Sequence, residues 1–188
     1  MTILTLLGSA RPKSNTATIL GWVEDELKSQ GHTVERINVT RKTIGGCIGC
    51  AKCREKAEEI GCIQNDDAIE IMEKMIAADC VLFASPVYFW GFTAQLKALI
   101  DRTYSLVVNY HTPNHASLME GKNIALLATG GGQFENNADG MFTAFDRLSG
   151  YLLTKKAAEL FVGGCSTPDA LPDGTQERAI ELACGLCL

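Results

Sequence analysis

The chain is short of positive charge. Its 188 residues hold 17 Lys and Arg against 22 Asp and Glu, for a net charge of −5 and a pI near 5.2. No basic patch offers the phosphate contacts on which nucleic-acid affinity depends, which argues against a nucleic-acid partner. Long apolar runs are also missing; none approaches the roughly 20 residues of a membrane-spanning helix. The opening Met1-Thr-Ile-Leu-Thr-Leu-Leu-Gly8 has no charged n-region and no cleavage site, so it does not read as a secretory signal. A cytoplasmic protein is expected. There is no internal repeat and no low-complexity tract, and the three histidines, His32, His111 and His115, are scattered in polar surroundings.

What the chain has in quantity is cysteine, eight in all. In a reducing compartment these are thiols or metal ligands rather than structural disulfides. Four lie close together, as Cys47-Ile-Gly-Cys50-Ala-Lys-Cys53 followed by Cys62. Such a group can hold a metal, form redox disulfides or pack, and the spacing alone does not choose. Cys80 falls in an apolar run and is expected in the core. Cys165 has no partner motif. Cys184-Gly-Leu-Cys187 has the spacing of a redox pair but lies at the chain end.

Hydrophobic patterning gives the fold class. Thr2–Leu7, Cys80–Ala84 and Asn123–Ala128 are continuous apolar runs of the kind found in parallel strands buried on both faces. Thr33–Val39 alternates apolar and charged residues, and Glu159–Val162 is the last expected strand. Helices are expected over Thr16–Gln30, Asp66 to about Ala77, Phe92–Val108, Met141–Leu153 and Gln176–Leu186, the first ending at Gly31. Strands and helices alternate five times. The expectation is an α/β, doubly wound, five-stranded parallel sheet of flavodoxin type, order 2-1-3-4-5, with helices on both faces. Residues 1–188 read as one domain, with a cysteine-rich insertion at about 40–65.

Ligands bind such a sheet beyond the carboxyl ends of its strands, where strand order reverses. Three loops converge there. Gly8-Ser-Ala-Arg11-Pro-Lys-Ser14-Asn15-Thr16 combines hydroxyls, an amide, an Arg and a helix start, a set suited to a phosphate; it also suits an ordinary capped turn. It is neither G-x-x-x-x-G-K-[ST] nor G-x-G-x-x-G, so an ATP P-loop and a Rossmann fingerprint are not indicated. Ser85-Pro-Val-Tyr88-Phe89-Trp90-Gly91 sets three consecutive aromatics after a buried strand, which would suit a flat ring ligand, a subunit contact or local core. Thr129-Gly130-Gly131-Gly132 would let backbone approach a ligand closely, and equally suits a plain flexible turn.

Together, Gly8-Ser9-x-Arg11-x-x-Ser14-Asn15-Thr16 and Ser85-Pro86-Val87-Tyr88-Phe89-x-Gly91-x-x-Ala94-x-Leu96-Lys97-x-x-Ile100-Asp101-Arg102 closely resemble the NAD(P)H-dependent FMN reductase branch of the flavodoxin-like superfamily. The Cys-x-x-Cys-x-x-Cys segment looks like that of the iron–sulfur flavoproteins of this branch. The likeness runs to about residue 105 and resumes at the glycine loop. It implies non-covalent FMN, with Ser9, Arg11, Ser14, Asn15 and Thr16 on the phosphate. Pro86, Val87, Tyr88, Phe89, Trp90 and Gly91 would border the isoalloxazine, with Thr129, Gly130 and Gly131 on its other side. NAD(P)H is the implied cosubstrate, and a catalytic acid or base is not required. A homodimer or homotetramer is also implied.

Compact cysteine spacing with a distal fourth thiol suits a [4Fe–4S] cluster on Cys47, Cys50, Cys53 and Cys62. The eight residues between Cys53 and Cys62 depart from the relatives' shorter gap, and Arg54–Ile60 has the composition of a helical turn. Redox thiols and zinc stay open beside the cluster. Three functions follow: an NAD(P)H-dependent FMN or quinone-type reductase acting on a small acceptor, an iron–sulfur flavoprotein passing electrons to a ferredoxin-like protein, or a flavin and thiol redox sensor.

Overall fold

The computed structural model describes residues 1–55, 59–167 and 171–187. Five strands form one all-parallel sheet: β1 (Thr2–Leu7), β2 (Thr33–Asn38), β3 (Cys80–Pro86), β6 (Asn123–Thr129) and β7 (Lys155–Val162). Two further strands, β4 (Val107–Val108) and β5 (Ala116–Ser117), pair only with each other as a small antiparallel hairpin. The sheet order is β2-β1-β3-β6-β7. With the hairpin set aside, this is the order expected from the sequence.

The period-2 alternation of β1 sorts its side chains between two cores. Leu4 and Leu6 join Phe83 and Leu126 under α2 (Asp67–Ala77), α3 (Ala94–Arg102) and α4 (Asp139–Tyr151). Ile3 and Leu7 join Leu82 and Leu127 under α1 (Asn15–Ser29) and α5 (Thr175–Gly185). The central strands β1, β3 and β6 are buried almost throughout, which is why they are unbroken apolar runs. The edge strand β2 carries Glu35 and Arg36, charges that discourage further strand addition. Cys80 is fully buried, and burial, with the Cys187 and Asp79 charges, pushes its thiol pKa up to about 12, so it is a core residue.

Two expected elements differ. The helix read as Phe92–Val108 stops at Arg102; a 3₁₀ turn covers Thr103–Leu106 and the chain then enters β4. Thr103 Oγ1 donates to the Ile100 carbonyl and Ser105 Oγ to that of Arg102, bonds that compete with helix continuation. Val107 and Val108, both β-branched, favour the strand. The strand read as Glu159–Val162 begins earlier, at Lys155, because its first half is a solvent-facing edge without an apolar run. In the cysteine segment a 3₁₀ turn spans Lys52–Glu55; the rest of the turn expected over 54–60 includes residues 56–58, which lie outside the described residues. No described helix is long and apolar enough to cross a membrane.

Candidate functional site

The loops after β1, β3, β6 and β7 meet at the carboxyl edge of the sheet around a polar cavity of about 130 Å³. Ser14 caps α1: it is extended, at φ −122° and ψ 156°, and its hydroxyl accepts from the Ala17 N–H at 3.1 Å. The N-terminus of this 15-residue helix, with the positive end of its dipole, lies at the cavity, which Ser14, Asn15 and Thr16 line. Ser9, Ser14, Asn15, Thr16 and Thr129 all line the cavity while being buried themselves. Thr16 Oγ1 and Thr129 Oγ1 are 2.7 Å apart, and Asn15 Nδ2 donates to the Thr167 carbonyl at 2.9 Å. Arg11 is exposed at the rim.

Close packing holds these loops together. Gly8 N–H donates to Ala84 at 2.8 Å, and Thr93 Oγ1 donates to the Gly8 carbonyl at 2.8 Å. A Cβ on Gly8 would meet Thr93 Oγ1 at 2.9 Å and Leu96 at 3.0 Å, so only glycine lets β1 run this close to the start of α3. Val87 N–H donates to the Thr129 carbonyl at 2.7 Å, which fixes the aromatic loop against the glycine loop.

Ser9, Arg11, Ser14, Asn15, Thr16, Pro86, Val87, Tyr88, Thr129, Gly130 and Gly131 line one cavity together. Phe89, Trp90 and Gly91 do not. They form the tip of a tight turn closed by reciprocal Tyr88–Gly91 backbone bonds of 3.0 and 3.1 Å. Phe89 and Trp90 have φ of +45° and +62°, a left-handed conformation costly for aromatic residues, and they are 93% and 60% exposed. Trp90 Nε1 anchors the tip through the Asn136 carbonyl at 2.9 Å.

Two further lining residues, Cys165 and Thr167, had no motif to mark them. Their one signal was position, just after the last strand of a parallel sheet. Burial raises the Cys165 thiol pKa, against hydrogen bonds from Asn15 and at Gly130 that lower it.

The cysteine segment starts beside this site, where Thr40 Oγ1 donates to the Ser9 carbonyl at 3.3 Å. Its thiols then gather elsewhere. Cys47, Cys50, Cys53 and Cys62 line a second cavity of about 230 Å³, backed by Asp101, Arg102, Tyr104 and Ser105. These residues lie at the far end of α3, a nine-residue helix and so about 13 Å along its axis from the aromatic loop. Among the described residues no three potential ligands converge on one metal ion; the four thiols stand around a space instead. Burial raises the Cys53 thiol pKa first, and charge on Cys62, Cys50 and Cys47 raises it further, against a backbone hydrogen bond. Gly61 keeps the segment folded on itself, since a Cβ there would meet Cys53 Cα and O at 2.7 Å.

A donor from the body of the fold contacts these thiols directly. The Arg102 side chain, 1% exposed, donates through Nε to Cys62 Sγ at 3.1 Å. The Tyr151 side chain lines a neighbouring cavity with Tyr104 and Leu148; its buried hydroxyl has no hydrogen-bond partner among the described residues, and burial, with charge on Tyr104 and Cys53, raises its pKa. Tyr151 stacks on Tyr104 at 6.0 Å and 15°, and Arg54 Nε donates to the Tyr104 hydroxyl at 2.5 Å.

Residues 1–139 match the family model described as NADPH-dependent FMN reductase. An iron–sulfur flavoprotein of Methanocaldococcus jannaschii is 36% identical over 114 residues, 61% of this chain and 58% of the relative. One from Archaeoglobus fulgidus is 39% identical over 97 residues, 52% of this chain and 43% of the relative. The chain spans about half the length of the curated relatives it matches. The crystal structure of azoreductase AzrA superposes with a TM-score of 0.75 at 18% identity, covering all of both chains, a likeness of fold.

Proposed function

The chain belongs to the NADPH-dependent FMN reductase family, and from that premise we propose that it is an FMN-dependent oxidoreductase using NAD(P)H, with an iron–sulfur cluster on its four clustered cysteines. The observation that carries the flavin assignment is the ring of buried Ser9, Ser14, Asn15, Thr16 and Thr129 around one cavity at a helix N-terminus. Buried hydroxyls beside a helix N-terminus fit a phosphate dianion. We read residues 1–188 as one flavin-binding domain into which segment 40–65 is inserted.

Bound FMN supplies the redox chemistry, accepting a hydride and releasing electrons singly or in pairs. The protein's part is placement. Ser9, Ser14, Asn15 and Thr16 would hold the phosphate, with Arg11 at the rim adding charge. Thr129, Gly130 and Gly131 would offer backbone to the ring, and Pro86, Val87 and Tyr88 would shield it from water. Cys165 and Thr167 close the cavity from the β7 side. No side chain in this set is arranged as an acid or base, and hydride transfer needs none.

The cysteine cavity fits a cluster on two counts. Its thiols surround a space rather than a point, as a multi-iron group requires. Arg102 Nε supplies a donor of the kind that negatively charged sulfur accepts. A cluster there would carry single electrons between the flavin and an acceptor, either a small molecule or a ferredoxin-like protein. The exposed Phe89–Trp90 tip supports self-association as a homodimer or homotetramer. We place the protein in the cytoplasm, where its thiols stay reduced.

The test is protein purified without oxygen and assayed for flavin absorbance, iron, acid-labile sulfide and NAD(P)H oxidation with added FMN or quinone. The reading expects flavin, about four irons per chain and turnover. Colourless protein that takes up no FMN overturns the flavin assignment; flavin-loaded protein without iron overturns the cluster.

A further inference from the structure

Among the described residues Arg102 is the largest fully buried side chain, yet it is a guanidinium. Its hydrogen bonds all go to one place. Nε donates to Cys62 Sγ at 3.1 Å, Nη1 to the Gly45 carbonyl at 3.0 Å and to Asp66 Oδ2 at 2.7 Å, and Nη2 to the Gln64 carbonyl at 3.1 Å. Gly45 lies two residues before the first cysteine of the segment, and Gln64 and Asp66 follow the last. One planar fork from α3 therefore closes the neck of the whole cysteine loop. Asp66 completes the closure, accepting the Gly45 N–H at 2.8 Å and the α2 N-terminal Ala68 N–H at 3.1 Å.

We propose that Arg102 is the positioning residue of the cysteine cavity: it clamps both ends of segment 45–66 and sets a fixed positive charge and an N–H donor against the Cys62 sulfur. The proposal rests on the reading of this cavity as a cluster site. Two features make the role specific. Desolvating a guanidinium is costly unless every donor is used and a counter-charge is near, and here Asp66 is that counter-charge. A lysine has one point of attachment where Arg102 has four bonds, so the fork itself does the clamping. Electrically, a cation and an N–H bond at a ligand sulfur favour the more negative, reduced state of an iron–sulfur group, which raises its midpoint potential.

The experiment compares wild type, Arg102→Lys and Arg102→Gln, each purified without oxygen and supplied with ferrous iron and sulfide. It reads iron per chain, flavin content, the cluster midpoint potential by dye-mediated titration, and amide hydrogen exchange of segment 43–66 in the metal-free proteins. The proposal expects all three to bind FMN, since Arg102 does not touch the flavin cavity. Arg102→Gln should lower the midpoint potential and speed Gly45 amide exchange by at least about tenfold. Arg102→Lys should restore the potential more than the exchange protection. Equal potential and equal exchange in wild type and Arg102→Gln would overturn the proposal. If wild type takes up no iron, the cluster reading fails instead, and the clamp is judged by exchange alone: faster exchange in Arg102→Gln sustains it and unchanged exchange sinks it.

Discussion

Thr16 and Thr129 share a hydrogen bond of 2.7 Å between their hydroxyls, in a setting where each residue is at most 3% exposed. It joins the first turn of α1 to the last residue of β6 in the wall of the polar cavity. Removing one partner strands the other. Thr129→Val should cost about 1–3 kcal/mol of stability by leaving Thr16 Oγ1 buried and unpaired. Thr16→Val with Thr129→Val should recover part of that loss while FMN affinity stays low. Denaturant unfolding and flavin titration of the three variants check this; full recovery of flavin binding in the double variant would count against a role for the pair at the cofactor.

Gly8 is the close-approach point between β1 and α3. Gly8→Ala drives a methyl to within 2.9–3.0 Å of Thr93 Oγ1 and Leu96. An overpacking cost of about 1–3 kcal/mol is expected, with weaker FMN binding because two of the cavity's loops are pushed apart. Thermal unfolding with and without FMN measures both.

How far the sequence could be read depended on burial. β1, β3 and β6 are buried on both faces, so their apolar runs marked them with almost correct ends. β7 was only half visible because Lys155 and Lys156 open it on the solvent side. The end of α3 was hidden: Leu106 continues the helical apolar spacing, and only local hydroxyl bonds and the pairing of Val107 with Ser117 break it. The start of α1 was legible because Ser14 and Asn15 are capping residue types, and strand order brought its loop to the cavity at the sheet edge. Cys165 and Arg102 were not, since burial beside a distant segment leaves no trace in local pattern. The cysteine segment begins beside the polar cavity, where Thr40 meets Ser9, but its thiols collect at the other end of α3.

Asp66 predicts a pH dependence. Burial alone would raise its pKa, but hydrogen bonds from Arg102, Gly45 and Ala68 outweigh that and hold the carboxyl below its ordinary value of 3.8. The folded value is therefore the lower one. Its stabilising contribution is complete above the unfolded pKa and is lost as pH falls through the folded one. Denaturant midpoints followed from about pH 6 to about pH 3 should drop at the acid end, and Asp66→Asn should flatten that drop. An unchanged acid limb in the variant would show that other carboxylates govern it.

The Phe89–Trp90 tip trades conformation for exposure. Phe89→Asn suits the left-handed backbone better and should raise stability by about 1 kcal/mol. The same change removes a side chain that is 93% exposed, so it should weaken self-association. Thermal unfolding and sedimentation of the two proteins separate these effects; association unchanged by the substitution would place the subunit contact elsewhere.

The account turns on a phosphate held by buried hydroxyls and helix N–H groups at the carboxyl edge of the sheet. The most direct measurement is equilibrium titration of flavin-free protein with FMN and, in parallel, with riboflavin, which has the same ring but no phosphate. FMN should bind at least about a hundredfold more tightly, the scale of about 3 kcal/mol expected from several charge-assisted hydrogen bonds. Equal affinity for the two flavins, or binding of neither, would contradict it.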